Sequence, residues 1–197
     1  MPVTRDERAI ASVRLVGGRP CLDFVNTNHD RFASEPEDYL GTAERYLEWC
    51  VRARLLDERE APRIAVRTHT LREVRRFRER LYAILIARIR GTSAPALGVT
   101  ELDRWLHCAW GDLIVDPGSV QYLSWSSKAI DAELPLKRIA LSALELLQEG
   151  SSPRLRQCAA SDSCGWLFYD DTRNAGRRWC AMATCGTAAK MREYRAR

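Results

Sequence analysis

The stretch CGWLFYDDTRNAGRRWCAMATCG, Cys164–Gly186, carries three cysteines, two Cys-Gly pairs and an arginine-rich loop. With Cys158 just before it, the spacing is Cys158-x5-Cys164-x15-Cys180-x4-Cys185, so four of the chain's seven cysteines fall within 28 positions. Two close pairs separated by an intervening segment are what a tetrahedral, all-cysteine zinc site requires: each pair turns two thiolates toward one point. A glycine after the second cysteine of each pair (Gly165, Gly186) allows the tight backbone turn. Cys158, Cys164, Cys180 and Cys185 are therefore read as the ligands of one structural Zn2+, closed by four thiolates and without an open position for substrate.

Around this centre, RLRQC (154–158) and WLFY (166–169) read as two short strands, DDTRNAG (170–176) as a turn, and the chain from Cys185 onward as a helix with Ala188, Met191 and Tyr194 on one side. A module of about 40 residues buries too little apolar surface to fold alone, so the metal is expected to supply much of its folding energy. The module is also basic. Residues 151–197 hold nine Lys or Arg against four Asp or Glu, while the first 150 residues hold 22 of each. The whole net charge of +5 lies on the tail, which points to a polyanionic partner for that segment. The candidate nucleic-acid contacts are Arg173, Asn174, Arg177 and Arg178 in the loop and Lys190, Arg192 and Arg195 on the helix. The competing reading is that these cations balance the formally dianionic zinc–thiolate centre. If Arg177 touches phosphate, Arg177→Ala should lower the salt slope of binding by about one.

Residues 1–150 read as a mostly helical body. Helices are expected at 36–56, opened by Pro36-Glu37-Asp38; at 69–90, with a stripe of Leu71, Val74, Phe77, Leu81, Ile84 and Leu85; at 100–110, capped by Thr100; and at 135–149. Arg75 and Glu79 are spaced to pair at i, i+4. Two β-prone runs, 113–115 and 120–125, flank the turn Asp116-Pro117-Gly118-Ser119. GGRPCLDFVNT (17–27) is a turn followed by a short apolar run and polar turn residues. The fold class is thus mainly α with a short β-hairpin in residues 1–150, followed in 151–197 by a small β-hairpin-plus-helix zinc finger. Cys21, Cys50 and Cys108 read as ordinary small core residues. The histidines lie on separate elements, and Asp23, His29 and Asp30 read as loop residues rather than a site. No assembled catalytic set is legible, so no enzyme activity is expected. The first residues, MPVTRDERAIASVRL, lack the apolar region of a signal peptide, and no run of about 18 apolar residues occurs. A cytoplasmic location without membrane contact is expected.

Cys164–Arg197 resembles the CGNR zinc finger of bacterial proteins described as stress-induced transcription regulators. The matching residues are Trp166, Phe168, Asp170, Arg173, Asn174, Arg177-Arg178-Trp179-Cys180, Met182, Cys185-Gly186 and Lys190. GGRPCLDFVNT and the helical body are similar to the ABATE domain that precedes this finger. The resemblance implies a zinc-stabilised end that binds double-stranded DNA, and a helical domain that senses a small-molecule effector or forms a homodimer. The tetrapeptide that names the finger appears here as Cys185-Gly186-Thr187-Ala188, without its Asn and Arg, and the first cysteine pair is one residue wider than the family pattern. The alternative reading is a zinc-stabilised RNA-binding or protein-interaction module with no specific DNA target, in which Trp166 and Tyr169 would stack on single-stranded bases. A third is a redox switch that releases zinc when its thiolates are oxidised.

Overall fold

The computed structural model describes residues 10–120, 123–150, 153–160 and 163–195. The opening residues 1–9, Gln121 and Tyr122 of the expected second hairpin strand, and Arg197 lie outside the described residues. The long stripe at 69–90 forms helix α3, Thr68–Arg90, with Val74, Phe77, Leu81, Ile84 and Leu85 buried along it. Gly91 ends it in the left-handed region, φ 66°, which a residue without Cβ adopts freely. Helix α5, Leu134–Gln148, opens at Pro135 as its sequence requires and buries Leu136, Ile139, Ala140, Ala143 and Leu146.

Between them lies α4, Ala96–Asp112, packed on both. It starts four residues before the expected Thr100, whose hydroxyl instead donates back to the Ala96 carbonyl at 3.1 Å. Gly98, which reads as loop in the sequence, sits inside this helix. A Cβ there would stand 3.0 Å from Ile84 Cγ1 and 3.1 Å from the Arg80 carbonyl. The glycine is an approach point between α3 and α4, not a breaker.

The run after Gly17-Gly18 is a short helix, α1, Pro20–Val25, with Cys21, Leu22, Phe24 and Val25 buried. Phe24 lies 5.9 Å from the ring of Trp49 and 5.9 Å from that of Phe77, which locks α1 into the core. The expected helix at 36–56 is shorter than its sequence suggests. Asn28–His29 (β1) and Glu37–Asp38 (β2) pair as a two-residue antiparallel ladder, so Pro36-Glu37-Asp38 is extended. The helix α2 is Ala43–Arg52, capped by the Thr42 side chain accepting from the Arg45 amide at 3.3 Å. Asp38 is held in the ladder by tertiary charge: Arg78, only 3% exposed, donates to it at 2.6 and 3.2 Å, and Arg75 pairs with it at 2.9 Å. Burial alone would raise the Asp38 carboxyl; the two arginines reverse that and hold it below its ordinary value. Arg75 therefore pairs across the fold rather than with Glu79, which binds Arg31 and Arg78.

Strands β3, Leu113–Val115, and β4, Leu123–Trp125, form the expected hairpin, with Ile114 opposite Ser124. Its outer residues Val115 and Leu123 are exposed. After α5 come β5, Leu155–Gln157, and β6, Leu167–Tyr169, antiparallel with Arg156 opposite Phe168, and then helix α6, Thr187–Arg195. Strand β6 packs on α1, and one apolar core runs without a break from Phe24 and Leu81 to Trp166, Leu167, Phe168 and the cysteines. Among the described residues no helix is long and apolar enough to cross a membrane.

A four-cysteine centre at the seam with the helical body

Cys158 follows β5, and its amide donates to the Trp166 carbonyl at 2.8 Å, closing the first pair into a turn. Cys164 is brought round by its amide bonding the Ala160 carbonyl at 2.9 Å. The second pair comes from a π-helical turn, Met182–Gly186, between Cys180 and α6. The sulfurs of Cys164 and Cys180 stand 3.6 Å apart, as do those of Cys180 and Cys185, and all four sulfurs lie within 4.8 Å of one another. Bonds of about 2.3 Å to a tetrahedral zinc put sulfurs about 3.8 Å apart, so the donor set fits one such ion. Cys158, Cys164 and Cys180 are buried and Cys185 is partly so. The Cys180 amide points at Cys158 Sγ at 3.4 Å, the kind of contact that stabilises thiolate sulfur. Four thiols so close cannot ionise independently. Hydrogen bonds from Cys164 and its other neighbours pull Cys158 down, while Cys164, which donates to Cys158, is pushed up. A divalent cation resolves that conflict for all four.

Gly165, after Cys164, has φ 65°, and a Cβ there would meet the Phe32 ring at 2.7 Å. A Cβ at Gly186 would meet the tip of the flexible, half-exposed Met182 side chain, which can move aside, so close approach explains the glycine at Gly165 and not the one at Gly186.

The finger is welded to the body through residues whose role the sequence hides. Asn26 donates to the Leu167 carbonyl and accepts from the Leu167 amide, each at 2.8 Å, and both residues are buried. The Tyr169 amide donates to the Gly17 carbonyl at 2.7 Å. The Phe32 amide donates to the Ser163 carbonyl at 3.0 Å, Trp166 Nε1 to the Asn28 carbonyl at 3.3 Å, and the Tyr82 hydroxyl to the Gly165 carbonyl at 2.9 Å. The segment GGRPCLDFVNT, with its neighbours, thus forms the cradle of β6. Gly17 has no room for a side chain: a Cβ would stand 2.7 Å from Leu22 Cβ. Its amide donates to Asp23 at 2.8 Å.

Burial pushes the Asp23 carboxyl up to about 6, against the lowering effect of hydrogen bonds from the Gly17 and Val16 amides and of the Arg177 charge. The folded protein therefore binds this proton between the ordinary value of 3.8 and about 6. The contribution to stability is complete below the first value and is lost as pH rises through the second. Urea midpoints of the chain and of Asp23→Asn should accordingly diverge in the variant's favour as pH rises from about 4 to about 6 and run parallel above that. Parallel curves across the whole range would show that Asp23 titrates as in the unfolded chain.

The candidate nucleic-acid residues separate into two groups. Asp170 organises the loop, accepting from the Thr172 amide and hydroxyl and from the Arg177 amide at 3.1, 2.6 and 2.7 Å. Arg173 and Asn174 are exposed at its tip, as is Arg178, whose guanidinium lies 4.9 Å from the Trp179 ring centroid. Lys190, Arg192 and Arg195 are exposed along α6, in which no described side chain is buried. Arg177 departs from this set. Its guanidinium turns inward and donates to the carbonyls of Val16 (3.0 Å), Trp179 (3.1 Å) and Cys180, with the Phe168 ring 4.3 Å away. It braces the zinc turn against the body. Arg177→Ala should cost about 2–3 kcal/mol of stability through the carbonyls left without a donor; an unchanged urea midpoint would contradict the brace. Trp166, 2% exposed, is buried against His29 at 5.4 Å, and Arg19 lies over the Tyr169 ring at 4.4 Å, so neither aromatic offers a free stacking face. The side of α6 carrying Ala188, Met191 and Tyr194 is exposed among the described residues: Met191 is 47% and Tyr194 77% exposed.

Two family models match the chain. Residues 18–150 match ABATE, described as "Putative stress-induced transcription regulator", and residues 154–197 match the CGNR zinc finger. The chain belongs to the ABATE family and carries a CGNR finger. No curated protein matches it. Within the CGNR finger, the two residues that depart from the name-giving tetrapeptide lie in the first turn of α6. Thr187 donates its hydroxyl to the Met182 carbonyl at 3.0 Å, and Ala188 is exposed. Asp23, His29 and Asp30 do not converge: His29 pairs with Asp30 at 3.2 Å, while Asp23 serves Gly17.

Proposed function

We propose that this ABATE protein is a one-component regulator whose finger binds double-stranded DNA and whose helical body senses a ligand or holds a dimer, without enzyme activity. The observation that carries the reading is α6. An isolated helix of nine residues is marginal in water, and this one is anchored at its first turn by the zinc centre, buries no side chain and presents Lys190, Arg192 and Arg195. A basic helix that buries none of its described side chains is suited to a major groove or to phosphates. Of the exposed loop arginines, Arg178 adjoins the turn that leads into α6, since it lines one surface hollow of about 310 Å3 with Trp179 and Met182. The contact set is therefore Arg173, Asn174, Arg178, Lys190, Arg192 and Arg195, with Arg177 removed. The loss of stacking faces at Trp166 and Tyr169 weighs against the single-stranded RNA alternative.

Selection of bound fragments from random duplex DNA, with zinc-loaded full-length protein at about 0.15 M salt, tests the reading under conditions that screen part of the phosphate attraction. Recovery of a defined motif supports it; none from folded, zinc-replete protein favours an RNA or protein partner. Arg192→Ala should weaken DNA binding on every sequence and reduce the salt slope by about one. An unaltered slope removes Arg192 from the contact set. A homodimer is the usual arrangement for reading paired half-sites; sedimentation equilibrium checks it, and a monomer at every concentration would remove it.

A further inference from the structure

We infer that the groove between the C-terminal half of α3 and the loop that follows it is a binding site for a small organic carboxylate with an aromatic or branched apolar body. The groove has a volume of about 420 Å3, within the range of small-molecule sites. Its walls are apolar, from Phe32, Tyr82, Ala83, Ile86 and Pro95, and its polar end is Arg90 with Ser93. That composition suits an amphipathic ligand: surface for a ring or branched chain, and one cation to fix a charged head.

One feature argues that Arg90 is available to an anion. Among the described residues no carboxylate pairs with it, in contrast to Arg31, Arg75, Arg76, Arg78 and Arg138. Phe32 is 46% exposed in the groove wall, which leaves apolar ring surface open to a ligand.

The groove also touches the zinc turn. Phe32 is bonded through its amide to Ser163, and its ring lies where a side chain at Gly165 would be. Tyr82 donates to the Gly165 carbonyl and accepts from Gln157 Nε2 at 3.2 Å. Gly165 follows Cys164 and Gln157 precedes Cys158, so the two aromatic wall residues hold both halves of the first cysteine pair. A carboxylate seated against them would stiffen or shift that turn, and through it the finger. This assigns a site and a ligand class to the sensing role proposed above and rests on that reading for its link to DNA.

The test uses zinc-loaded full-length protein and three probes, phenylacetate, cyclohexanecarboxylate and benzoate, against neutral phenylacetamide and ring-free acetate, with amide and aromatic NMR shifts as the readout. At least one of the three carboxylates should saturate a single site about tenfold more tightly than either control, moving the Gly165 amide and the Phe32 ring. Arg90→Gln should abolish the preference over phenylacetamide. Ala83→Phe, which fills the groove, should abolish binding while zinc content and far-UV dichroism stay unchanged. Absence of saturation by all three up to about 10 mM, equal binding of phenylacetamide, shifts confined to other residues, or a preference that survives Arg90→Gln would each overturn the site. The two readings fail separately. A protein that selects a DNA motif yet binds no carboxylate loses this site and keeps the regulator reading; one that binds carboxylate but no DNA keeps the site and loses the regulator.

Discussion

Removing zinc should unfold the finger and take much of the body's stability with it. The apparent binding free energy of structural zinc in finger peptides is about 10–16 kcal/mol, as large as the whole stability of an ordinary domain at about 5–15 kcal/mol. Here the four sulfurs close the turns that position β5, β6 and α6. The strand that would be freed contributes Trp166, Leu167 and Phe168 to the core shared with α1. Metal-free protein and Cys164→Ser should both lose zinc stoichiometry, and their melting temperature should fall by tens of degrees or the cooperative transition should disappear. Calorimetry with and without a chelator reads this directly. An apo protein that melts at the holo temperature would show that burial alone holds the finger.

The second large effect is expected at Asn26, a residue that touches neither metal nor any candidate ligand. Its side-chain amide satisfies both backbone groups of Leu167 inside the core. Asn26→Leu leaves a buried N–H and a buried C=O without partners, at about 1–3 kcal/mol each. A loss of about 2–5 kcal/mol follows, larger than the effect of an ordinary surface change. The variant should also uncouple two events. In the parent chain, zinc release to a chromophoric chelator and loss of helical dichroism should share one urea midpoint; in Asn26→Leu, zinc release should come first. Coincident transitions in the variant would locate the coupling elsewhere, in Tyr169–Gly17 or Arg177–Val16.

The metal centre was legible because its chemistry is local: thiolate donors, their spacing and the glycines after them are all fixed within 28 residues. Helices α3 and α5 were legible for a similar reason, since a stripe of period 3.6 over four or more turns has few other solutions. What misled were segments decided by distant partners. Pro36-Glu37-Asp38 has the chemistry of a helix start, yet Asp38 is claimed by Arg78 and Arg75, which lie 40 and 37 positions away, and the chain there is extended. Gly98 has the look of a loop until the backbone of α3 is placed against it. Arg177 shares the loop's cationic pattern with Arg173 and Arg178 and differs from them only in facing Val16, 161 positions earlier. Asn26 stands 141 positions from its partner, and no spacing rule reaches that far.

The pairing of Asn26 with Leu167 also bears on how this kind of protein can be cut and recombined. Zinc fingers are often handled as cassettes, trimmed at the nearest linker and grafted onto another scaffold. Here a fragment starting after α5 would leave behind the Gly17, Asn26, Asn28, Phe32 and Tyr82 groups that satisfy its inner face. A transplant able to stand alone would have to carry a non-contiguous piece of the N-terminal segment with it. Within a lineage, the same arrangement would oblige the two stretches to change together, so that shuffling of the finger between bodies is restrained by a few backbone hydrogen bonds rather than by the metal.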